Sequence, residues 1–193
     1  MFKGVIYCIL YPLIFKMYLI IMKYIYISNK TKDNFNLIEL PSYHIQQAYK
    51  TIKKSNNKWG MFLFDKNKII GVCEVMEEEE NGITFLLIVY VLIDEEYIGK
   101  NLCYELVKRT ILKNEKKGKG SMLIKVVIAG GEPIFKCLIK VFNELNYKIQ
   151  KYKSDKKENI KQLKFITSEE AIKIEKKNLK TDMWQTLFFV LKT

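Results

Sequence analysis

The sequence predicts an α/β fold, and three observations carry that expectation. Apolar runs of strand length, such as Ile83 to Ile93 and Ser121 to Ala129, alternate with segments whose apolar residues recur at helical spacing. The polar tetrapeptide Asp65-Lys66-Asn67-Lys68 separates two β-rich runs and predicts an antiparallel hairpin. The length of 193 residues suits one domain with a full core plus an appendage. The expected division is a hydrophobic extension or membrane anchor over 1–27, a polar linker over 28–34 and the folded domain over 35–193.

Within the domain, Phe35 to Leu40 reads as a first strand, and Pro41-Ser42 opens a helix that runs to about Lys54. Trp59 to Phe64 and Ile69 to Met76 form the hairpin, and Glu77 to Gly82 is expected to close a second one, with its four carboxylates at a solvated tip. Ile83 to Ile93 is a continuous apolar strand interrupted only by Thr84 and Tyr90, the composition of a central strand buried on both faces. Asp94-Glu95-Glu96 ends it. Leu102, Leu106, Val107 and Ile111 predict an amphipathic helix over Asn101 to Lys113. Ser121 to Ala129 supplies another strand, Gly130-Gly131 breaks it, and Pro133 to Leu145 forms a helix before Tyr147 to Tyr152 returns as strand. Ser168, with Glu169 and Glu170 in the first turn, opens a helix to Lys177, and Met183 to Leu191 is a final strand.

The amino-terminal appendage has three readings. From Val5 to Ile27 only Pro12, Lys16 and Lys23 interrupt an apolar run, which approaches the length of about 20 residues that crosses a bilayer. Lys16 near the bilayer centre costs about 2.5 to 3.5 kcal/mol on insertion scales, and Pro12 weakens a helix. An anchor, an extension packed on the domain and a cleaved signal peptide therefore stay open, although no small-residue cleavage site follows the run. If the segment spans, Lys23, Lys30 and Lys32 after it outnumber Lys3 before it, which directs the remainder to the cytosol.

A net charge of +12 would ordinarily raise nucleic acid or an anionic membrane as a partner. Yet Arg109 is the sole arginine, and specific reading of nucleic acid relies on the bidentate guanidinium, so no specific nucleic-acid partner is expected. Abundant Lys, Asn, Ile and Tyr are what an AT-rich coding bias produces. Cys8, Cys73, Cys103 and Cys137 lie far apart with no CxxC pair, which suggests neither a zinc site nor a disulfide framework and fits a reduced, intracellular, cytoplasmic setting. His44 is the only histidine and reads as a surface helix residue, so histidine-rich metal sites are excluded.

The order of hairpin, long central strand, acidic turn, helix, strand, helix and strand resembles the GNAT family of acetyl-coenzyme A-dependent N-acetyltransferases over roughly Phe35 to Leu191. The segment Val91-Leu92-Ile93-Asp94-Glu95-Glu96-Tyr97-Ile98-Gly99-Lys100-Asn101-Leu102-Cys103 looks like that family's strand followed by its pyrophosphate loop of Tyr-Arg-Gly-Lys-Gly-Leu-Gly type. Tyr97, Gly99 and Lys100 match; Ile98, Asn101 and Cys103 stand where an arginine or glutamine and two glycines are usual. Val141-Phe142-Asn143-Glu144-Leu145-Asn146-Tyr147 resembles the family's Phe-Tyr-x-x-x-Gly-Phe helix ending, with Phe142 at a position that often carries a general-acid tyrosine. Ser168-Glu169-Glu170-Ala171 and Lys176-Lys177-Asn178-Leu179 resemble the carboxyl-terminal part of the NatE-type amino-terminal acetyltransferases.

The resemblance implies a mixed, mostly antiparallel central sheet with helices on both faces. It implies acetyl-CoA as co-substrate, held by Val91, Ile93, Ile98, Gly99, Lys100, Asn101, Leu102 and Cys103, because backbone amides at a helix amino terminus bind pyrophosphate without a cationic side chain. No metal is implied. The acceptor would be an amine of a protein or small molecule, and with Phe142 unable to donate a proton, Tyr90 or Tyr147 is the expected substitute. The alternative is a catalytically inactive GNAT-like binding or scaffold subunit. Membrane association through residues 5–27 remains a further expectation.

Overall fold

A computed structural model describes residues 22–31, 42–80, 83–115, 123–127, 132–152, 164–179 and 187–192. Eight strands and four helices alternate along these residues. The strands are β1 (Lys23–Ser28), β2 (Lys58–Asp65), β3 (Lys68–Glu80), β4 (Ile83–Ile93), β5 (Leu123–Val127), β6 (Tyr147–Tyr152), β7 (Phe165–Ile166) and β8 (Leu187–Lys192). The helices are α1 (Tyr43–Lys54), α2 (Leu102–Glu115), α3 (Glu132–Glu144) and α4 (Ser168–Leu179). All strands join one sheet in the order β1-β2-β3-β4-β5-β8-β6-β7, in which only β4 and β5 run parallel.

Helices cover both faces, and the side-chain period of two along the strands divides the core accordingly. In β2, Met61 and Leu63 point into a core shared with Leu106, Val107 and Ile111 of α2, Leu138 and Phe142 of α3, and Ala171 of α4. Phe62 and Phe64, between and beside them, point to the other face, where Ile45, Ala48, Tyr49 and Ile52 of α1 close over Ile27 and Val72. Gly60 lets α1 approach closely: a Cβ there would lie 2.7 Å from Ile52 Cδ1. Ser42 caps α1, its Oγ accepting from the Ile45 amide at 3.3 Å.

The expected α/β fold, with its mixed, mostly antiparallel sheet, is therefore the observed one, with two differences of detail. Lys23–Ser28, expected to end the hydrophobic extension and begin the linker, is strand β1, paired antiparallel with β2 from Lys23↔Phe64 to Ser28↔Trp59. An alternation of Tyr and Ile satisfies an edge strand as well as it satisfies a membrane-spanning pattern, and pairing with β2 decides between them. The boundary expected at residue 27 thus falls inside β1. Glu77–Glu80 is not a hairpin tip but the end of β3, registered from Glu77↔Leu86 to Glu80↔Ile83. The expected strand Phe35 to Leu40 and most of the apolar run from Val5 lie outside the described residues. Among the described residues no helix is long and apolar enough to cross a membrane.

Two bulges shape the sheet. One, opposite Leu63 and Phe64, leaves Ile70 as the extra residue of β3. The other leaves Val89 as the extra residue of β4, since Glu74 faces Tyr90 while Val75 faces Ile88. The parallel register of β4 with β5 ends at Ile88↔Val126, next to this second bulge. Beyond it, Tyr90 to Ile93 pair with β3 alone among the described residues. A bulge locally increases twist and redirects the strand, so the sheet changes course where its two central strands part.

Candidate functional site

The loop that follows β4 is built from short-range capping and pinned from outside. The Asp94 amide donates to the Ile70 carbonyl at 2.8 Å, and Asp94 Oδ1 accepts from the Glu96 amide at 3.4 Å, starting a 3-10 turn over Glu95–Tyr97. The Ile98 amide closes that turn on the Glu95 carbonyl at 3.2 Å. Gly99 then has φ +83° and Asn101 φ +55°, both in the left-handed region. Asn101 thus adopts the conformation that a glycine would, as its short polar side chain allows.

The turn between β2 and β3 holds this loop. Tyr97 donates its hydroxyl to Asp65 Oδ2 at 2.8 Å. Lys68 Nζ lies 3.3 Å from both Asp94 Oδ2 and Glu96 Oε2. Lys100 Nζ sits 4.5 Å from the centre of the Tyr97 ring, a cation–π contact. These side-chain contacts do not involve the Ile98 side chain, which is exposed.

Helix α2 begins directly after Asn101. Its first helical bond runs from the Glu105 amide to the Asn101 carbonyl at 3.5 Å. The amides of Leu102, Cys103 and Tyr104 therefore lie in the first turn, where an α-helix has no intrahelical acceptors for them and where the dipole favours an anion. A Cβ built on Gly99 would meet nothing within 4 Å, so the outer side of the loop is open.

The eight expected coenzyme residues fall on this strand, loop and helix start, but they contribute in different ways. Leu102 and Val91 bury their side chains in the core under α2, and Ile93 packs against the same cluster. Only their backbone can face a ligand. Gly99 and Asn101 form the exposed rim with Ile98, while Lys100 beside them and Cys103 in the first turn are half-buried.

The two expected catalytic tyrosines are not brought together. Tyr90 is 48% exposed and stands across from Glu74 at the β4 bulge. Its neighbour Val91 belongs to the core under α2, which turns Tyr90 to the α1 face. Tyr147 belongs to the opposite core: it is buried, packs at 6.1 Å from Phe142, and donates its hydroxyl to Glu115 Oε1 at 2.7 Å. Burial, with the Glu115 bond and charge adding to it, holds the Tyr147 phenol above its ordinary pKa. Phe142 is 2% exposed, so the position that often carries the family's tyrosine is core packing here.

One charged pair was not singled out from the sequence. Glu74 is 1% exposed and ion-paired with Lys58, Nζ to Oε1 2.9 Å. Lys58, Gly60 and Glu74 share the α1 face with Tyr90, two residues apart along β2 and cross-strand along β2, β3 and β4. The signal was a lone glutamate inside the apolar run Gly71 to Met76. Among the described residues no group of three or more His, Cys, Asp or Glu is gathered as a metal site.

No family model matches the chain, and no curated protein matches it. Solved structures similar to it include AtaTR bound with acetyl-CoA, at 10% identity and a TM-score of 0.47 over 79% of this chain and 96% of that one. An IAA acetyltransferase from Bacillus cereus is similar at 12% identity and a TM-score of 0.45, over 89% and 98%. An aminoglycoside acetyltransferase from an uncultured soil metagenomic sample, in complex with sisomicin, is similar at 13% identity and a TM-score of 0.43, over 76% and 97%. These likenesses are too distant to transfer an activity. The strand order and the β4–α2–β5 crossover form the mixed, mostly antiparallel sheet with helices on both faces that the resemblance implies, and the loop between Asp94 and Leu102 leads from β4 into α2.

Proposed function

We propose that the chain is an N-acetyltransferase that moves an acetyl group from acetyl-CoA to an amine of a protein or small molecule. The observation that carries this reading is the pair of left-handed residues, Gly99 and Asn101, that lead an open loop into the first turn of α2. The amides from Gly99 to Cys103 would take the pyrophosphate, with Lys100 as the nearby cation. The edge of β4 from Val91 to Ile93 would pair with the amide-bearing arm of the coenzyme as an added strand does.

In the reaction the deprotonated amine adds to the thioester carbonyl, the C–S bond breaks, and the departing thiolate takes a proton. We assign that proton to Tyr90, which is exposed beside the parting of β4 and β5. Tyr147 is a weaker candidate because its hydroxyl is engaged by Glu115. Positioning of amine against thioester supplies much of the rate in any such transfer. Isothermal calorimetry with acetyl-CoA tests the reading: binding is expected, and absence of heat at millimolar ligand overturns it.

A second reading is a catalytically silent GNAT-like subunit that binds without turnover. Its support is Phe142, which is buried and has no hydroxyl. Release of free coenzyme thiol with a panel of peptides and polyamines separates the two, since acceptor-dependent release eliminates the silent subunit.

A further inference from the structure

Two cysteines whose thiols have no role in the proposed acyl transfer meet at the junction of α2 and α3. Cys103 is the second residue of α2, Cys137 lies in the first half of α3, and 34 positions separate them in sequence. Packing of α2 on α3 nevertheless brings Cys103 Sγ to 2.6 Å from Cys137 Sγ. Both thiols are free and half-buried, which leaves them accessible to a small oxidant. Cys73, whose charge acts on Cys137, is fully buried, and that burial pushes its thiol up to about 12, out of range for reaction at neutral pH.

The two partners differ in a way that assigns an order of reaction. The contact with Cys137 holds the Cys103 thiol below its ordinary pKa, and a position in the first turn of a helix favours the same thiolate. Cys137 is raised, by the same contact first and by burial second. Lys140, one turn further along α3, partly offsets that rise.

We infer that Cys103 and Cys137 form a redox-responsive dithiol, closed by a small-molecule disulfide into a covalent staple between α2 and α3. Cys103 thiolate attacks one sulfur of the oxidant RSSR and expels RS⁻, which takes a proton. Cys137 then loses its proton, attacks Cys103 Sγ in the mixed disulfide and expels the second RS⁻. Two thiols and one RSSR give one protein disulfide and two RSH, with both electrons passed to the oxidant. This inference holds whether or not the loop binds acetyl-CoA, because it rests on the meeting of the two thiols between α2 and α3.

The test uses the whole chain and oxidised glutathione. After alkylation of remaining thiols and tryptic digestion, the peptides Asn101–Lys108 and Cys137–Lys140 should appear joined and lighter by two hydrogens than their sum. The melting temperature of the oxidised protein should exceed that of the reduced protein by roughly 5 °C, and dithiothreitol should reverse both changes. Cys137→Ser should stop at a glutathione adduct on Cys103. Cys103→Ser should slow glutathione addition at residue 137 at least tenfold. Recovery of both wild-type peptides alkylated, a lasting glutathione adduct on wild-type Cys103, or linkage of either cysteine to Cys8 or Cys73 overturns the proposal. The decisive readout comes from wild-type protein, so a variant that fails to fold does not affect it.

Discussion

The loop from Asp94 to Asn101 and the core around Phe142 depart from the same family pattern, yet the departures have different physical weight. In the loop, Ile98, Asn101 and Cys103 replace familiar residues, but the expected ligand would be held by backbone amides, whose direction is set by φ and ψ. Asn101 at φ +55° preserves that direction, and Asp65 and Lys68 of the neighbouring turn fix the loop through Tyr97 and Asp94. Around Phe142 the chemistry would have to come from a side-chain hydroxyl, and a buried phenyl ring offers none. A backbone site tolerates sequence drift that a side-chain site does not.

The largest effect that could break this contrast belongs to Gly99→Trp. It should weaken acetyl-CoA binding at least a hundredfold by calorimetry, while thermal melting records only the strain of a non-glycine residue at φ +83°, about 1 to 2 kcal/mol. Loss of fold instead of loss of binding would mean that the loop is structural. Tyr90→Phe should lower kcat about a hundredfold with KM and melting temperature nearly unchanged, the size expected for removing a general acid. An unchanged kcat would move the proton to another group.

Stability changes sharpen the comparison next. Lys58→Ala leaves the Glu74 carboxylate buried without its cation and should cost about 3 kcal/mol in urea unfolding, whereas the double variant Lys58→Met, Glu74→Leu should recover most of it. Phe142→Tyr adds a hydroxyl to a side chain that is 2% exposed, so it should cost about 2 kcal/mol and leave turnover unimproved. A faster enzyme would show that the position faces a cleft after all. Tyr97→Phe should be the mildest, about 1 kcal/mol for the bond to Asp65, read as a small drop in melting temperature.

Much of the scaffold could be read from local pattern. Asp65-Lys66-Asn67-Lys68 is the turn between β2 and β3, with Lys66 at φ +55°, and Ile83–Ile93 and Tyr147–Tyr152 are strands with the expected ends. Asn101 opening α2 from a left-handed conformation was legible because few residues other than glycine and asparagine adopt it. What was hidden is non-local. Lys23–Ser28 is a strand only because β2 accepts it, and Glu77–Glu80 stays extended only because Ile83–Leu86 lies opposite. The Lys58–Glu74 pair and the Cys103–Cys137 contact join residues that no spacing rule connects. The opposite orientations of Tyr90 and Tyr147 likewise follow from which core each strand face meets.

The position of β8 has a consequence for how the chain acquires its shape during synthesis. β5 and β6 are never neighbours; each binds β8, which the ribosome makes after both of them. The amino-terminal half, β1 to β4 with α1, can assemble from consecutive antiparallel partners as it emerges. β5 and β6 must wait with a gap between them until the late strand arrives to fill it, so the nascent protein passes through a stage with two open edges that a chaperone or a second nascent chain could capture.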